Sequence, residues 1–435
     1  DIVVQVAIIR PGPIVGKMVN PYLKRRQGGE AVECLHPSLE PVLARTLGVP
    51  LFQEQLLRMA MIAAGFTGGQ AEELRRAFGF KRSEKRMAEI EVKLREGMTR
   101  NGIAGETQDR IVDSIMAFAL YGFPESHAAS FALLAYASAY LKCRYPAAFT
   151  AAILNNQPMG FYHPATLIKD AQRHGLKFRP VDVSRSEWDC SIEVMDGVKC
   201  VRLGLRYVRG LRMEAGRAIV QARAATPFLC IEDLVRRVPE LRKNELTRLA
   251  EVGALNPLGR AGKHRRDALW EAELVARPAG ELFEEFVETD VPSPLKIMTA
   301  EERLNADFRG TSVTIGRHPM AHHRGEMNVI GVTRACDLAR MRNGATVRIA
   351  GSVICRQRPG TAKGFVFLSM EDETGIANVI VLPDLFDKSR LELVGEPFLL
   401  IDGTLQNMEG VVSVKAGRIR GLRLGMETAA SHDFH

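Results

Sequence analysis

Residues 121–149 read YGFPESHAASFALLAYASAYLKCRYPAAF. The stretch opens as a turn, with Gly122 and Pro124 punctuating the backbone, and runs on as a helix. Ser126 is placed to cap that helix. From Ala128 to Phe149 the side chains are small, aromatic or aliphatic, and only Lys142 and Arg144 carry charge. A helix apolar on most faces is expected to pack inside a large domain. The two cations near its end and the break at Pro146 make it too interrupted to span a bilayer. Glu125, Ser126 and His127 then stand at the N-terminus of a rigid helix, where free N–H groups and the helix dipole favour anions. The turn is a candidate phosphate-facing element. The plain alternative is a capped core helix with a solvated turn.

Upstream, residues 1–27 read as a short apolar helix or strand, a turn and a basic helix. The turn, Arg10-Pro11-Gly12-Pro13, is stiff and presents one guanidinium, which suits phosphate because the donor fork of Arg10 needs no further ordering. Residues 37–66 are expected to be helical. Residues 67–100 read as a Gly-Gly turn followed by a charged helix. There Arg75, Arg76, Lys81 and Arg82 place four cations within eight positions. Such a cluster suits a triphosphate or a nucleic-acid backbone. It suits a salt-bridged surface helix equally, since Glu72, Glu73 and Glu84 are at pairing distance along the helix. Residues 101–120 form a further helix.

Downstream come short helices to about residue 175 and strand-like pieces over 177–193 and 197–208. Tyr207 to Arg212 is a tight turn leading into a helix from Met213 to Arg223. This resembles a helix–hairpin–helix element, whose amides grip a phosphodiester backbone without reading sequence. Arg212 stands where such hairpins carry a second glycine. Arg209, Arg212 and Lys243 are candidate duplex-phosphate contacts. Charge supports the placement: residues 201–270 hold 15 Lys/Arg against 7 Asp/Glu, and residues 271–310 hold 4 against 10. A basic block followed by an acidic one reads as a nucleic-acid surface followed by a linker with one or two helices. Within that linker AGELF (279–283) reads as an ordinary amphipathic stretch, with a weaker likeness to a sliding-clamp peptide whose glutamine is missing.

Residues 346–420 alternate as five strands with a short helix between the third and fourth, the order of an OB-fold, a common single-strand binder. Arg356, Arg358 and Lys363 fall in its first loop as candidate template-strand contacts. Phe365 and Phe367 are candidates for stacking on bases or for barrel core.

The length of 435 residues implies about two to four domains, and a hydrophobic fraction of 46% is ordinary for a globular protein. Seven cysteines, scattered and without a CxxC pair, argue against a disulfide framework or a structural zinc site, and for a reducing compartment. No signal peptide or membrane span is visible. The chain opens at Asp1 inside an apolar run, as a piece would whose N-terminal part lies elsewhere.

Several stretches together resemble the bacterial C-family DNA polymerases, the alpha subunits of DNA polymerase III. They are IIRPGP (8–13), LGVPLFQEQLLRMAMIAAGFTGG (47–69), ELRRAFG (73–79) and the stretch quoted first. Finer features are similar to the error-prone, damage-tolerance branch: PESHAASFALL, NNQPMGFY (155–162), RPVDVSRSEWDC (179–190), RQRPGTAKGFVFLSMEDETGIANVIV (356–381) and SHDFH (431–435). The resemblance implies a multidomain α+β chain with mainly α-helical fingers at 1–180, a helix–hairpin–helix duplex-binding region at 181–270, an acidic linker with helices at 271–345, an OB-fold β-barrel at 346–424 and a tail at 425–435. It implies primer–template DNA and deoxynucleoside triphosphates as partners, with damage-response accessory proteins, a weak or indirect sliding-clamp contact, no membrane and a cytoplasmic location. Arg10, Arg75, Arg76, Ser126 and His127 would face the triphosphate. The Mg²⁺ ions of such enzymes are held by palm aspartates, and this sequence has no Asp-x-Asp pair. The chain is therefore expected to bind DNA without extending a primer. The runners-up are a replicative alpha subunit and a non-catalytic nucleic-acid-binding scaffold.

Overall fold

Apolar residues in the first 119 positions recur at helical spacing, and the computed structural model folds them as helices. It describes residues 1–9, 19–77, 84–119, 123–160, 162–258, 264–275, 293–408 and 410–434. The helices are α1 (Ile2–Ile8), α2 (Val19–Arg26), α3 (Gln53–Ala64), α4 (Gly68–Ala77), α5 (Glu84–Arg100) and α6 (Glu106–Ala119). Residues 37–46 form short helical turns rather than one helix, because Pro37 and Pro41 each restart the backbone. Gln55 sets the start of α3. Its Oε1 accepts the N–H groups of Leu51 (2.9 Å) and Phe52 (3.1 Å), while its Nε2 donates to the Val42 carbonyl (3.0 Å) and Thr46 Oγ1 (2.8 Å). Gly65 ends the helix at φ 65°. Gly68 and Gly69 are the first residues of α4, not a turn. Phe52, Leu56, Met59, Leu74, Leu94 and Met98 meet in one core. Gly97 is required there: a Cβ on it would lie 2.1 Å from the Ala64 carbonyl oxygen, so α5 crosses α3 with the backbones in contact.

α7 (Glu125–Arg144) is not the buried helix that its composition suggests. Of its residues only Ala128 and Ala132 are buried. Phe131, Leu133, Leu134, Tyr136 and Tyr140 are exposed, Leu133 by 70%. The chain divides into two compact units, Asp1–Tyr140 and Leu141–His435, and the division falls inside α7. Among the described residues no helix is long and apolar enough to cross a membrane.

The second unit begins with α8 (Pro146–Asn155) and α9 (Pro164–Arg173), followed by β1 (Lys177–Arg179), β2 (Ser191–Met195) and β3 (Val198–Arg202). These strands form a sheet in the order β1-β3-β2. Then come α10 (Met213–Ala225), α11 (Ile231–Arg237), α12 (Lys243–Glu251), α13 (Arg265–Val275) and α14 (Ala300–Thr311). A His-Pro step starts a helical turn at three places. The Nδ1 atoms of His36, His163 and His318 accept the N–H two residues on, at 3.3, 3.1 and 3.2 Å, and proline occupies the first helical position.

The C-terminal strands are β4 (Thr346–Gln357), β5 (Val366–Glu371), β6 (Ile376–Val381), β7 (Phe398–Met408) and β8 (Val411–Gly421), with α15 (Pro383–Lys388) and α16 (Arg390–Gly395) between β6 and β7. Pairings β4–β5, β5–β6, β6–β8, β8–β7 and β7–β4 close a five-stranded barrel with β6 and β8 parallel, consistent with an OB-fold. The run Phe398-Leu399-Leu400-Ile401 is apolar on both faces because it separates two cores. Leu399 and Ile401 fill the barrel, whereas Phe398 and Leu400 pack with the helical part of this unit. β9 (His432–Phe434) adds in parallel to the end of β4, so the last residues supply a strand rather than a plain tail. The molecule is thus a multidomain α+β chain: a helical N-terminal unit, then helical hairpins and a β-barrel.

Candidate nucleic-acid interface

At the start of α7 the helix begins two residues earlier than a Ser126 cap requires. Pro124 precedes it, and its carbonyl accepts the Ala128 N–H at 3.1 Å. The Glu125 N–H is taken by Glu54 Oε2 at 2.8 Å, and Arg45 pairs with the Glu125 carboxylate. A carboxylate thus already stands at this helix terminus. Ser126 and His127 are exposed in its first turn. The His127 ring lies between Phe123 (5.1 Å, edge-on) and Phe131 (4.6 Å). Arg75 and Arg76, on the exposed last turn of α4, both pair with Glu72, at 2.7 and 3.3 Å. The Arg75 hydrogen bond, with Arg76 behind it, holds the Glu72 carboxyl down at about 2. Among the described residues no hydrogen bond or ion pair joins Arg75 or Arg76 to the Glu125–His127 turn. Arg10, Lys81, Arg82 and the 279–283 stretch lie outside the described residues.

The hairpin expected at 207–212 is present. Gly210 sits at φ 81°, and the Leu211 N–H bonds to the Val208 carbonyl at 3.2 Å, closing a turn that needs glycine at its third position. Val208 and Leu211 are buried, and Arg209 with Gly210 forms the exposed tip. A second hairpin with the same buried valine and leucine, but with Glu240 in place of the glycine, lies thirty residues on, and sequence reading missed it. There Val238 and Leu241 are buried, the Leu241 N–H bonds to the Val238 carbonyl at 3.1 Å, and Pro239 and Glu240 form the exposed tip. The legible signal was the repeat V-x-x-L-R at 208–212 and 238–242.

The two arginines that end these repeats have opposite fates. Arg242 is exposed and joins Arg209 and Lys243 as a cation beside the hairpins. Lys243 pairs with Glu273 at 2.8 Å across an exposed surface, where an ion pair contributes little. Arg212 is turned inward, contrary to its reading as a phosphate contact. Its Nε and Nη2 each donate to Glu245 at 3.0 Å, and Nη2 also donates to the Glu240 carbonyl at 2.5 Å.

On the barrel, Arg356 is likewise not a loop cation. β4 runs two residues further than the alternation suggested, and Arg356 is buried near its end. Its Nε donates to the Leu393 carbonyl at 2.7 Å, Nη2 to the Glu396 carbonyl at 2.9 Å, and Nη1 to Ser431 Oγ. These bonds tie the end of the chain to the barrel. Arg358 and Lys363 are exposed, with the Arg358 guanidinium 4.4 Å from the centre of the Phe386 ring. Phe367 points out of the barrel, Phe365 is half-buried, and neither belongs to the barrel core, which β5 builds from Val366, Leu368 and Met370.

Among the described residues no group of three His, Cys, Asp or Glu side chains is placed to hold a metal ion.

Residues 1–102 match the bacterial DNA polymerase III alpha subunit finger domain, and residues 175–268 match a helix-hairpin-helix motif. The chain is 48% identical over 444 residues to an error-prone DNA polymerase of Anaeromyxobacter sp. (strain K), covering 100% of this chain and 39% of the relative. Residues 1–102 are thus similar to the fingers of bacterial DNA polymerase III alpha subunits. The chain is also 45% identical to an error-prone DNA polymerase of Alkalilimnicola ehrlichii and 42% identical to error-prone DNA polymerase 2 of Agrobacterium fabrum, covering 100% of this chain and 42% and 41% of those relatives. It spans about two fifths of the length of the curated alpha-type relatives that it matches. Among solved structures, an asparaginyl-tRNA synthetase from Pyrococcus horikoshii is 24% identical over 23% of each chain with a TM-score of 0.20, a likeness too slight to carry an argument.

Proposed function

We propose that this chain supplies the nucleotide-facing fingers and the DNA-binding parts of an error-prone DNA-directed DNA polymerase that works in damage tolerance in the bacterial cytoplasm. The observation that carries this reading is the 48% identity over the whole chain to a relative of that name, together with the finger-domain match at residues 1–102. Arg10, Arg75, Arg76, Ser126 and His127 form the side facing the triphosphate, with cations there offsetting charge that develops on the leaving pyrophosphate. Arg75 and Arg76 exchange Glu72 for the triphosphate, an exchange that solvent exposure makes inexpensive. The hairpins hold duplex through Arg209, Lys243 and Arg242. Arg358, Lys363 and Phe367 form the part of the barrel that meets the template strand. Mg²⁺ on palm carboxylates would supply the charge that activates the primer 3′-OH in the intact enzyme.

Gel-shift and primer-extension measurements on one sample test this reading, using a primer–template, Mg²⁺ and all four deoxynucleotides. The DNA should be retained and the primer should stay unextended. Failure to retain DNA would contradict the binding role, and robust extension would contradict the assignment of the carboxylates to other residues.

A further inference from the structure

The Glu245 side chain is 1% exposed in a region otherwise rich in cations. Oε1 accepts the backbone N–H of Arg212 at 2.9 Å, and Oε2 accepts the backbone N–H of Arg242 at 2.9 Å. Those are equivalent positions in the two hairpins, each the residue before the following helix (α10 and α12). The Arg212 guanidinium closes the arrangement with one bond to each oxygen of Glu245 and one to the Glu240 carbonyl in the tip of the second hairpin. Burial works against the Glu245 charge. The Arg212 side chain and the two backbone N–H groups outweigh it and hold the carboxyl below its ordinary range. One carboxylate therefore accepts the N–H of the residue that precedes each of the two helices and bridges the two hairpins. A core-filling side chain would not need to be charged, and a charged one this deep is costly unless every lone pair is used.

We propose that Glu245 is a positioning residue: it locks the two hairpins in one register, so that both tips reach the backbone of one duplex, and it holds Arg212 as part of the lock rather than as a DNA contact. This rests on the duplex-binding reading given above.

The sign of one substitution separates this role from simple electrostatics. Glu245→Gln removes a negative charge next to a polyanion and releases Arg212, so charge alone predicts tighter binding. The lock predicts weaker binding, because an amide has one oxygen and presents an NH₂ to a backbone N–H that needs an acceptor. The measurement is equilibrium binding of the 435-residue chain to a primer–template duplex and to a single strand of the same sequence. Glu245→Gln should lower duplex affinity about tenfold, the cost of one orphaned buried donor, and leave single-strand affinity unchanged. Duplex affinity that is unchanged or higher overturns the proposal. Arg212→Met guards against misfolding of the first variant. It should leave the slope of log affinity against log salt as in wild type, whereas a direct phosphate contact would make that slope shallower by about 0.9 and overturn the proposal. Arg209→Ala reports on the parent reading separately. If it weakens duplex binding while Glu245→Gln does not, only the lock fails; if the wild-type chain does not bind duplex, both fail.

Discussion

His318 sits on a buried seam of the second unit, between α9 and the barrel. Its Nδ1 accepts the Met320 N–H, a role open only to the neutral ring, and its Nε2 lies 3.5 Å from Ser352 Oγ and 3.8 Å from Glu371. Lys169, Arg173 and Arg324 surround it with positive charge. Burial first, then those cations, push the imidazole from 6.5 down to about 3. Between those values the unfolded chain binds a proton that the folded chain does not, so stability falls as pH drops from about 6.5 to about 3. Glu371 has the opposite slope: burial lifts its carboxyl from 4.5 to about 7 against the pull of Arg173 and Lys169. His318→Asn keeps a capping oxygen and removes only the histidine titration. In urea unfolding at a series of pH values, the gap between wild type and this variant should narrow in favour of the variant below pH ~6, by on the order of a few kcal/mol at pH ~4. A gap constant with pH would contradict the buried neutral ring. Gln55 makes a second prediction. Gln55→Ala leaves the Leu51 and Phe52 N–H groups without an acceptor, and should cost the N-terminal unit about 2–3 kcal/mol in urea unfolding.

Among the elements, α5 and α3 depend on a single hydrogen at Gly97. Gly97→Ala drives a methyl onto the Ala64 carbonyl and should destabilise the N-terminal unit by about 3 kcal/mol, even though alanine is the better helix former. The secondary structure was largely legible because its signals are local. The strand alternation of 346–420, the Gly210 turn and the helices of the first 119 residues follow from side-chain period and turn chemistry. What was not legible depended on long-range partners. Arg356 looked like a loop cation because nothing nearby in sequence shows that Leu393, Glu396 and Ser431 supply its acceptors. Arg212 and Arg242 have the same local context, V-x-x-L-R, yet Glu245 captures only the first. α7 is apolar on most faces, so its pattern named no single face to bury and gave no warning that most of it would be exposed. Leu133→Glu combined with Leu134→Glu should accordingly leave the thermal midpoint within a few degrees and reduce binding of a hydrophobic dye. Loss of folding would show that these leucines are core.

For the whole molecule, the charge distribution and the elements agree on a surface for a polyanion. The basic block of 201–270 coincides with the paired hairpins, where Arg209, Arg242 and Lys243 are exposed, and on the barrel Arg358 and Lys363 are exposed. Exposed cations of this kind suit a phosphate backbone rather than base edges. The fingers side was legible mainly by resemblance: the arginines of α4 face solvent beside Glu72, and their local geometry alone does not name a triphosphate.

The salt dependence of primer–template binding tests the account most directly. For the 435-residue chain, log affinity should fall linearly with log salt, with the same slope on unrelated sequences. Arg209→Ala with Lys243→Ala should make that slope shallower by about 2, one unit for each phosphate contact removed. Binding that ignores salt, that depends on sequence, or that survives the double substitution with its slope intact would contradict the account.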